Sequence, residues 1–184
     1  MLINNQKSVK MKVNRVFIFA VLSLLIASFS VIGISATNVL VNNDGSGIPG
    51  STDRPVELAL NNPDAVGGLQ FNLSFPSLVL TYTGFSTTSR TTGASVTDNV
   101  ISPGLVVVSI LKDISIGSGS ILNLLFNVSA SASPADYPLT FSDVVIGDQK
   151  GVALASSFVS GVFTVIPPCT DLDGDGFGIA GANS

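Results

Sequence analysis

The sequence predicts an all-β protein built as a β-sandwich, and three observations support this. Short apolar runs rich in Val, Ile, Leu and Phe recur between residues 38 and 166, and clusters of Gly, Pro, Asn, Asp and Ser separate them. Several runs alternate apolar with polar residues, which is the period of a half-buried strand. No helical period in this range extends beyond a turn. The regular spacing favours two packed sheets over a parallel sheet.

A signal peptide is predicted for residues 1–36. Basic residues precede an apolar run from Val16 to Ile34, and the small residues Ser35 and Ala36 then permit cleavage. The run is long for a signal peptide, so an uncleaved membrane anchor is the alternative. A start at Met11 would give a more compact signal. In each case we expect the rest of the chain to be exported, as a secreted or extracellular-surface protein.

The remainder is predicted to hold one domain, over residues 37–166. Removing 36 of the 184 residues leaves 148, which is enough for a single core. This remainder keeps four basic residues against all twelve acidic ones, a net charge of −8. Such acidity argues against nucleic acid as a partner, and against membrane contact beyond the signal segment. It suits a soluble extracellular module.

Nine strands are predicted in this domain. They cover residues 38–41, 55–61, 68–75, 78–86, 94–101, 104–111, 120–128, 138–146 and 157–165. In the third strand the alternation is strict, which places one set of side chains in the core and the other in solvent. The expected core set is Leu69, Phe71, Leu73 and Phe75, and the expected solvent set is Gln70, Asn72 and Ser74.

Two other strands differ in pattern. Ser120–Val128 also alternates, which predicts a buried face of Leu122, Leu124, Phe126 and Val128. Its opposite face is only partly polar, so we expect that face to be partly covered. Gly104–Leu111 is nearly all apolar, which predicts a central strand. Ser86–Ser95 and Ala130–Asp136 are predicted to be polar loops.

Four stretches, taken in order, resemble the cohesin domain, the receptor module that binds dockerins in cellulosomes and related surface assemblies. The opening Gly47–Ser51 with the strand Val56–Leu58 is similar to the family's Gly-x-Pro-Gly-Asp start. Gly68–Leu80 resembles the strand that leads into a Tyr-Asp-Pro turn. Gly119–Val128 and Gly161–Val165 resemble the late Phe-x-Val strand and the closing strand. Ser51 in place of Asp, and Phe75-Pro76 without the turn aspartate, are the departures of a divergent member.

The resemblance implies a nine-stranded jelly-roll β-sandwich and a non-catalytic scaffolding function. One sheet face would bind a dockerin-like protein module, in an extracellular polysaccharide-degrading or cell-surface assembly. Carried over by position, the partner-binding residues would be Gln70, Asn72 and Ser74. Amide side chains suit such a face because they donate and accept hydrogen bonds without the desolvation cost of a charge. The alternative is that these residues are only the solvated side of a half-buried strand.

Residues 167–184 are predicted to be a linker and a partial calcium-binding motif. Pro167 and Pro168 end the last strand. Alternate carboxylates in a glycine-permitted loop form the first half of a calcium loop, with Asp171, Asp173, Asp175 and the carbonyl of Phe177 as ligands. The twelfth loop position is Ala182 rather than Glu, so the expected binding is weak. The stretch resembles exported calcium-binding repeats related to thrombospondin repeats, and an acidic disordered end is the alternative.

Two other function classes receive less support. A carbohydrate-binding module of the same sandwich superfamily, with polysaccharide as partner, is the second candidate. Flat polysaccharide binding uses stacked aromatic rings, whereas this chain has no Trp and only Tyr82 and Tyr137. An enzyme is the third candidate, and the sequence predicts none: it has no His and one Cys. The acids that could form a glycosidase pair stand beside turn residues, where aspartate is ordinary: Asp98, Asp136, Asp143 and Asp148.

Overall fold

The computed structural model describes residues 37–168, and these residues form two packed β-sheets. The predicted signal peptide at residues 1–36 and the calcium ligands Asp171, Asp173, Asp175 and Phe177 lie outside the described residues. Both therefore stay predictions. Within residues 37–168 no helix is long and apolar enough to cross a membrane.

Eleven strands make up the described fold. In chain order they are β1 (Asn38–Asn42), β2 (Gly45–Gly47), β3 (Arg54–Asn62), β4 (Val66–Ser74), β5 (Leu80–Thr87), β6 (Ser95–Ser102), β7 (Leu105–Ile114), β8 (Gly117–Val128), β9 (Ala135–Gly147), β10 (Ser156–Val159) and β11 (Gly161–Val165).

The strands divide into a five-stranded sheet and a six-stranded sheet. The five-stranded sheet has the order β10-β1-β3-β8-β5, and the six-stranded sheet has the order β2-β11-β9-β4-β7-β6. Neighbours are antiparallel except for the pairs β1–β10 and β2–β11. The predicted all-β sandwich is thus confirmed. The apolar strand β7 lies inside its sheet, between β4 and β6, as its composition predicts.

The number of strands differs from the predicted nine at two places. The predicted strand 157–165 is broken at Ser160, because β10 belongs to one sheet and β11 to the other. The Ser160 hydroxyl accepts a hydrogen bond from the backbone N–H of Phe141 at this crossing, at 3.0 Å. The short strand β2 was not predicted. It forms because Gly45 packs so closely that a Cβ there would lie 2.6 Å from Val56 and 2.9 Å from Phe163.

The core lies between the sheets and contains the predicted side chains. Phe71, Leu73, Leu124 and Phe126 are fully buried. The ring of Phe126 meets Phe75 edge-on, with centroids 5.2 Å apart. Truncating a buried aromatic side chain costs about 3–5 kcal/mol, so this cluster provides a large share of the stability of the fold.

A bulge in β8 explains one departure from simple alternation. Leu58 pairs with Leu122 and Ala59 pairs with Ser120, so Ile121 has no partner on β3. The bulge turns both Ile121 and Leu122 into the core, where both are fully buried. The Ile121 carbonyl instead accepts a hydrogen bond from the hydroxyl of Thr91, a buried residue of the loop between β5 and β6.

Candidate functional site: the outer face of the six-stranded sheet

Strand β4 places the three predicted partner-binding residues on one outward face. Its inward residues Leu69, Phe71 and Leu73 are buried. Gln70 and Ser74 are exposed and Asn72 is half-buried, as strand alternation requires. Since β4 lies in the middle of its sheet, between β9 and β7, this face has neighbours on both sides.

The flanking strands extend this face with hydroxyl and apolar side chains. Directly opposed residues of antiparallel strands point to the same side. On β7, Val107 lies opposite Asn72 and Ser109 lies opposite Gln70. On β6, Thr97 lies opposite Ser109 and Asn99 lies opposite Val107. On β9, Ser142 lies opposite Asn72 and Thr140 lies opposite Ser74. The outward-facing residues of β9, β4, β7 and β6 are called the platform below.

A bulge in β9 adds a carboxylate beside the amides of β4. Gln70 pairs with Val145 and Asn72 pairs with Ser142, so two residues of β9, Asp143 and Val144, lie opposite the single residue Phe71 of β4. Asp143 adopts a left-handed backbone conformation with φ of 51°, which aspartate tolerates better than most residues. Its carboxylate Oδ2 then accepts a hydrogen bond from Asn72 Nδ2 at 2.7 Å.

Hydrogen bonds to neighbouring strands orient both amides of β4. Because the Asp143 carboxylate can only accept, Asn72 must present its Nδ2 to it and point Oδ1 elsewhere. Ser109 Oγ donates to Gln70 Oε1 at 2.9 Å, which leaves the Gln70 amide nitrogen for other partners. The platform therefore carries both a donor and an acceptor held in fixed orientation, with little side-chain entropy left to lose.

A shallow depression of about 830 Å³ lies at one end of the platform. Its lining includes Gly68, Gln70 and Ser109, and also the charged residues Lys112, Asp113 and Asp148. Leu111 and Val145 line its rim and are 68% and 54% exposed. Exposed apolar side chains beside polar groups are typical of surfaces that bind another protein.

The described residues do not assemble the aspartates of the glycosidase hypothesis. Each carboxylate accepts from a different neighbour: Asp98 from the Tyr82 hydroxyl, Asp136 from Thr164, Asp143 from Asn72, and Asp148 from backbone N–H groups of its own turn. In residues 37–168 no three acidic, His or Cys side chains form a cluster suited to a metal ion. No outward-facing residue of β4, β6, β7 or β9 on the platform is aromatic.

The sequence located part of this site. It placed Gln70, Asn72 and Ser74 on one face, although their function as partner contacts stays a prediction. It missed Ser109 because β7 is almost uniformly apolar, so composition does not distinguish its two faces. It interpreted Asp143 as an ordinary turn residue. Its backbone is indeed turn-like, but the turn is a bulge inside a strand, which local sequence does not reveal.

Comparison with protein families matches residues 46–165 to the cohesin domain. Comparison with curated proteins gives no match.

Several solved structures share the fold. A non-cellulosomal cohesin from the archaeon Archaeoglobus fulgidus is 24% identical, with a TM-score of 0.62 over 71% of this chain and 92% of that one. The sixth cohesin of scaffoldin B from Acetivibrio cellulolyticus, solved with a dockerin, is 21% identical, with a TM-score of 0.61 over 71% and 99%. A type I cohesin–dockerin complex from Clostridium thermocellum gives 17% identity and a TM-score of 0.64, over 71% and 100%.

Proposed function

This chain belongs to the cohesin family, and we propose that it is a non-catalytic receptor whose platform binds a dockerin-like protein module. The observation that carries the proposal is the composition of the platform. Along the middle of β4 and its neighbours it presents amide and hydroxyl groups, two exposed aliphatic side chains and the carboxylate of Asp143. The charged residues Lys112, Asp113 and Asp136 lie towards the ends of β7 and β9. A protein partner can bury the middle of this surface at low desolvation cost, because the groups around Gln70 and Asn72 are uncharged apart from Asp143.

The oriented amides give the platform its specificity in this proposal. Asn72, oriented by Asp143, offers a partner its Oδ1 as an acceptor. Gln70, oriented by Ser109 and two positions away on the same strand, offers its amide nitrogen as a donor. A partner that matches this pair gains two hydrogen bonds, whereas one that does not leaves buried polar groups unsatisfied, at about 1–3 kcal/mol each. The rim residues Leu111 and Val145 supply the apolar part of the contact.

A matched pair of substitutions tests this function. Asn72→Arg places a long cation at the centre of the platform. Asn123→Arg makes the same change on the outer face of the five-stranded sheet, where Asn123 is also half-buried and donates to a neighbouring hydroxyl. With a panel of dockerin modules in calorimetry, we expect at least one to bind the unsubstituted protein and the Asn123→Arg variant. Asn72→Arg should weaken that binding at least tenfold.

Two results would contradict the proposal. If no dockerin in a broad panel binds, the platform has another kind of partner. If Asn123→Arg abolishes binding while Asn72→Arg does not, the partner uses the other sheet. Urea unfolding of both variants serves as the control, since substitutions at outward positions should change the stability of the domain by little.

We also propose that the protein acts outside the cell. The basic and apolar segment before Thr37 supports export, and the acidity of the domain fits an extracellular module. Mass spectrometry of the secreted protein should find an N-terminus at or near Thr37. A product that retains Val16–Ile34 in the membrane fraction would show an anchor instead.

Calcium is the proposed cofactor of the C-terminal segment. The spacing of Asp171, Asp173 and Asp175, with the Phe177 carbonyl, supports a site for a hard cation. Without the bidentate Glu, water must complete the shell, so we expect affinity in the range of roughly 10⁻⁴–10⁻³ M that extracellular modules show. Calorimetry with calcium chloride tests this proposal.

A further inference from the structure

The exposed edge of β6 stands out among the sheet edges of the described residues. The other edge of its sheet, β2, has three residues, and β10 has four. The edge strand β5 has eight residues but is interrupted by a bulge between Tyr82 and Gly84. In β6 the ladder is regular from Ser95 to Val100, and the irregularity comes only between Val100 and Ser102. Six consecutive residues thus present an unpaired backbone edge.

This edge carries little of the usual protection against pairing. Strand edges are commonly protected by lysine, proline or an inward charge. β6 contains no Lys, Arg or Pro. Its one charged residue, Asp98, faces inward, because it lies opposite the buried Val108. Its carboxylate is already engaged, since it accepts a hydrogen bond from the Tyr82 hydroxyl at 3.0 Å across the open side of the sandwich. Val100 and Ile101, at the end of the strand, are 51% and 59% exposed.

Charge indicates by which side two copies of this domain can approach each other. Residues 37–168 carry nine acidic and four basic side chains, so two copies of the domain repel each other over most of their surface. The open side formed by β5 and β6 bears a single charged residue, the hydrogen-bonded Asp98. It is therefore a side by which two identical acidic domains can approach at little electrostatic cost.

We propose that β6 pairs antiparallel with β6 of a second copy of this chain. Opposed residues must share a face, so the core side of one copy continues into the core side of the other. Two central registers satisfy this condition. One sets Asp98 against Asp98 of the second copy, and like charges directly opposite are destabilising. The other sets Thr97 against Thr97, and this is the register we assign.

Size predicts a weak dimer. Six residues at about 3.4 Å each give an edge about 20 Å long. The two sheets are about 10 Å apart, and with their side chains the open side is about 20 Å wide. The contact therefore buries on the order of 400 Å² per copy. The total of about 800 Å² is below the roughly 1,200 Å² of a stable interface, so we expect a dissociation constant between about 10 µM and 1 mM.

The dimer would place two platforms side by side. A two-fold axis perpendicular to the sheets keeps both six-stranded sheets in one layer, so both platforms face the same direction. A partner with two binding modules could then engage both copies, and the second contact would benefit from a raised effective concentration. The platform of each copy is complete without its neighbour, so dimerisation adds to the proposed receptor function rather than replacing it.

Sedimentation of residues 37–184 tests the proposal, since the described part of this segment holds a complete two-sheet core. Thr97→Lys places two ammonium groups face to face at the axis. Thr140→Lys makes the same change on β9, away from the edge, at a residue that is also exposed. We expect the unsubstituted protein and Thr140→Lys to dimerise alike, and Thr97→Lys to raise the dissociation constant at least tenfold. A protein that stays monomeric at about 1 mM, or a Thr97→Lys variant that dimerises normally, would overturn the proposal.

Cross-linking tests the register independently. In a Cys169→Ser background, Thr97→Cys should form an oxidised dimer, because the two residues are opposite. Asn99→Cys should not, because in this register residue 99 lies about 14 Å from its own copy, too far for a disulfide. Cross-linking through residue 99 in preference to residue 97 would contradict the assigned register.

Discussion

Arg90 is predicted to be a major determinant of stability, although it lies in a loop that the sequence shows only as polar. Its guanidinium donates to the Leu60 carbonyl at 2.8 Å and to the Gly119 carbonyl at 3.1 Å, which joins β3 to β8. It also donates to Asn62 Oδ1 at 2.6 Å and to the Ser115 carbonyl at 3.1 Å. Desolvation by burial lowers the pKa of Arg90 from its ordinary value. One side chain thus closes one end of the sandwich.

The expected effect of Arg90→Met follows from these contacts. Asn62 is fully buried, and Arg90 is the donor to its Oδ1. An unsatisfied buried acceptor costs about 1–3 kcal/mol. Water can replace part of the remaining contacts, because Arg90 is only half-buried. We expect a total loss of about 2–4 kcal/mol, which is a large fraction of the roughly 5–15 kcal/mol of a typical domain. Arg90→Lys should lose most of this stability as well, since the ammonium group of lysine cannot reproduce the planar, forked set of donors of a guanidinium.

Urea unfolding followed by circular dichroism measures this loss. With a slope of about 2 kcal/mol per molar, the midpoint of unfolding should fall by about 1–2 M while the slope is unchanged. Arg54→Met is the control, because Arg54 is exposed and makes one hydrogen bond, to the Ser46 carbonyl. If Arg90→Met loses less than about 0.5 kcal/mol, or no more than the control, the loop does not hold the two strands together and the reasoning fails.

Two further predictions concern pH and calcium. Desolvation by burial, followed by the hydrogen bond and charge of Asp98, raises the pKa of Tyr82 above its ordinary 10.0. The folded state therefore holds the proton of the Tyr82 hydroxyl more tightly than the unfolded state does. The stability that this difference contributes is present below pH 10 and is lost as the pH rises further. Tyr82→Phe should accordingly reduce the alkaline loss of stability, and unchanged pH profiles would contradict this. For calcium, binding should disappear when Asp171 and Asp173 become Asn and Ala, and a chain that binds no calcium at millimolar levels would refute the site.

The strands and their inward faces could be predicted because a strand has a period of two. The alternation from Leu69 to Phe75 determines which side chains meet the core, whatever the rest of the chain does. Eight of the nine predicted strands occur with ends that shift by a few residues, and the ninth is divided at Ser160 into β10 and β11. The same local rule placed Gln70, Asn72 and Ser74 together.

The candidate site was only partly predictable, because its other members come from separate strands. Ser109 and Asp143 meet Gln70 and Asn72 through pairings between residues about 40 and 70 positions apart in the chain. Nothing local in the sequence specifies those registers. The function of Arg90 was hidden for the same reason, since its partners lie on β3, β8 and the turn before β8.

The sequence by itself therefore determined the all-β class, the buried face of each clear strand and the acidic character of the domain, since these depend on residue type and local period. The tertiary structure alone decided three other features: the crossing at Ser160, the glycine strand β2, and the two bulges at Ile121 and Asp143. Each arises where two distant segments must fit against each other. Close packing and strand pairing between those segments, rather than local preference, set their geometry.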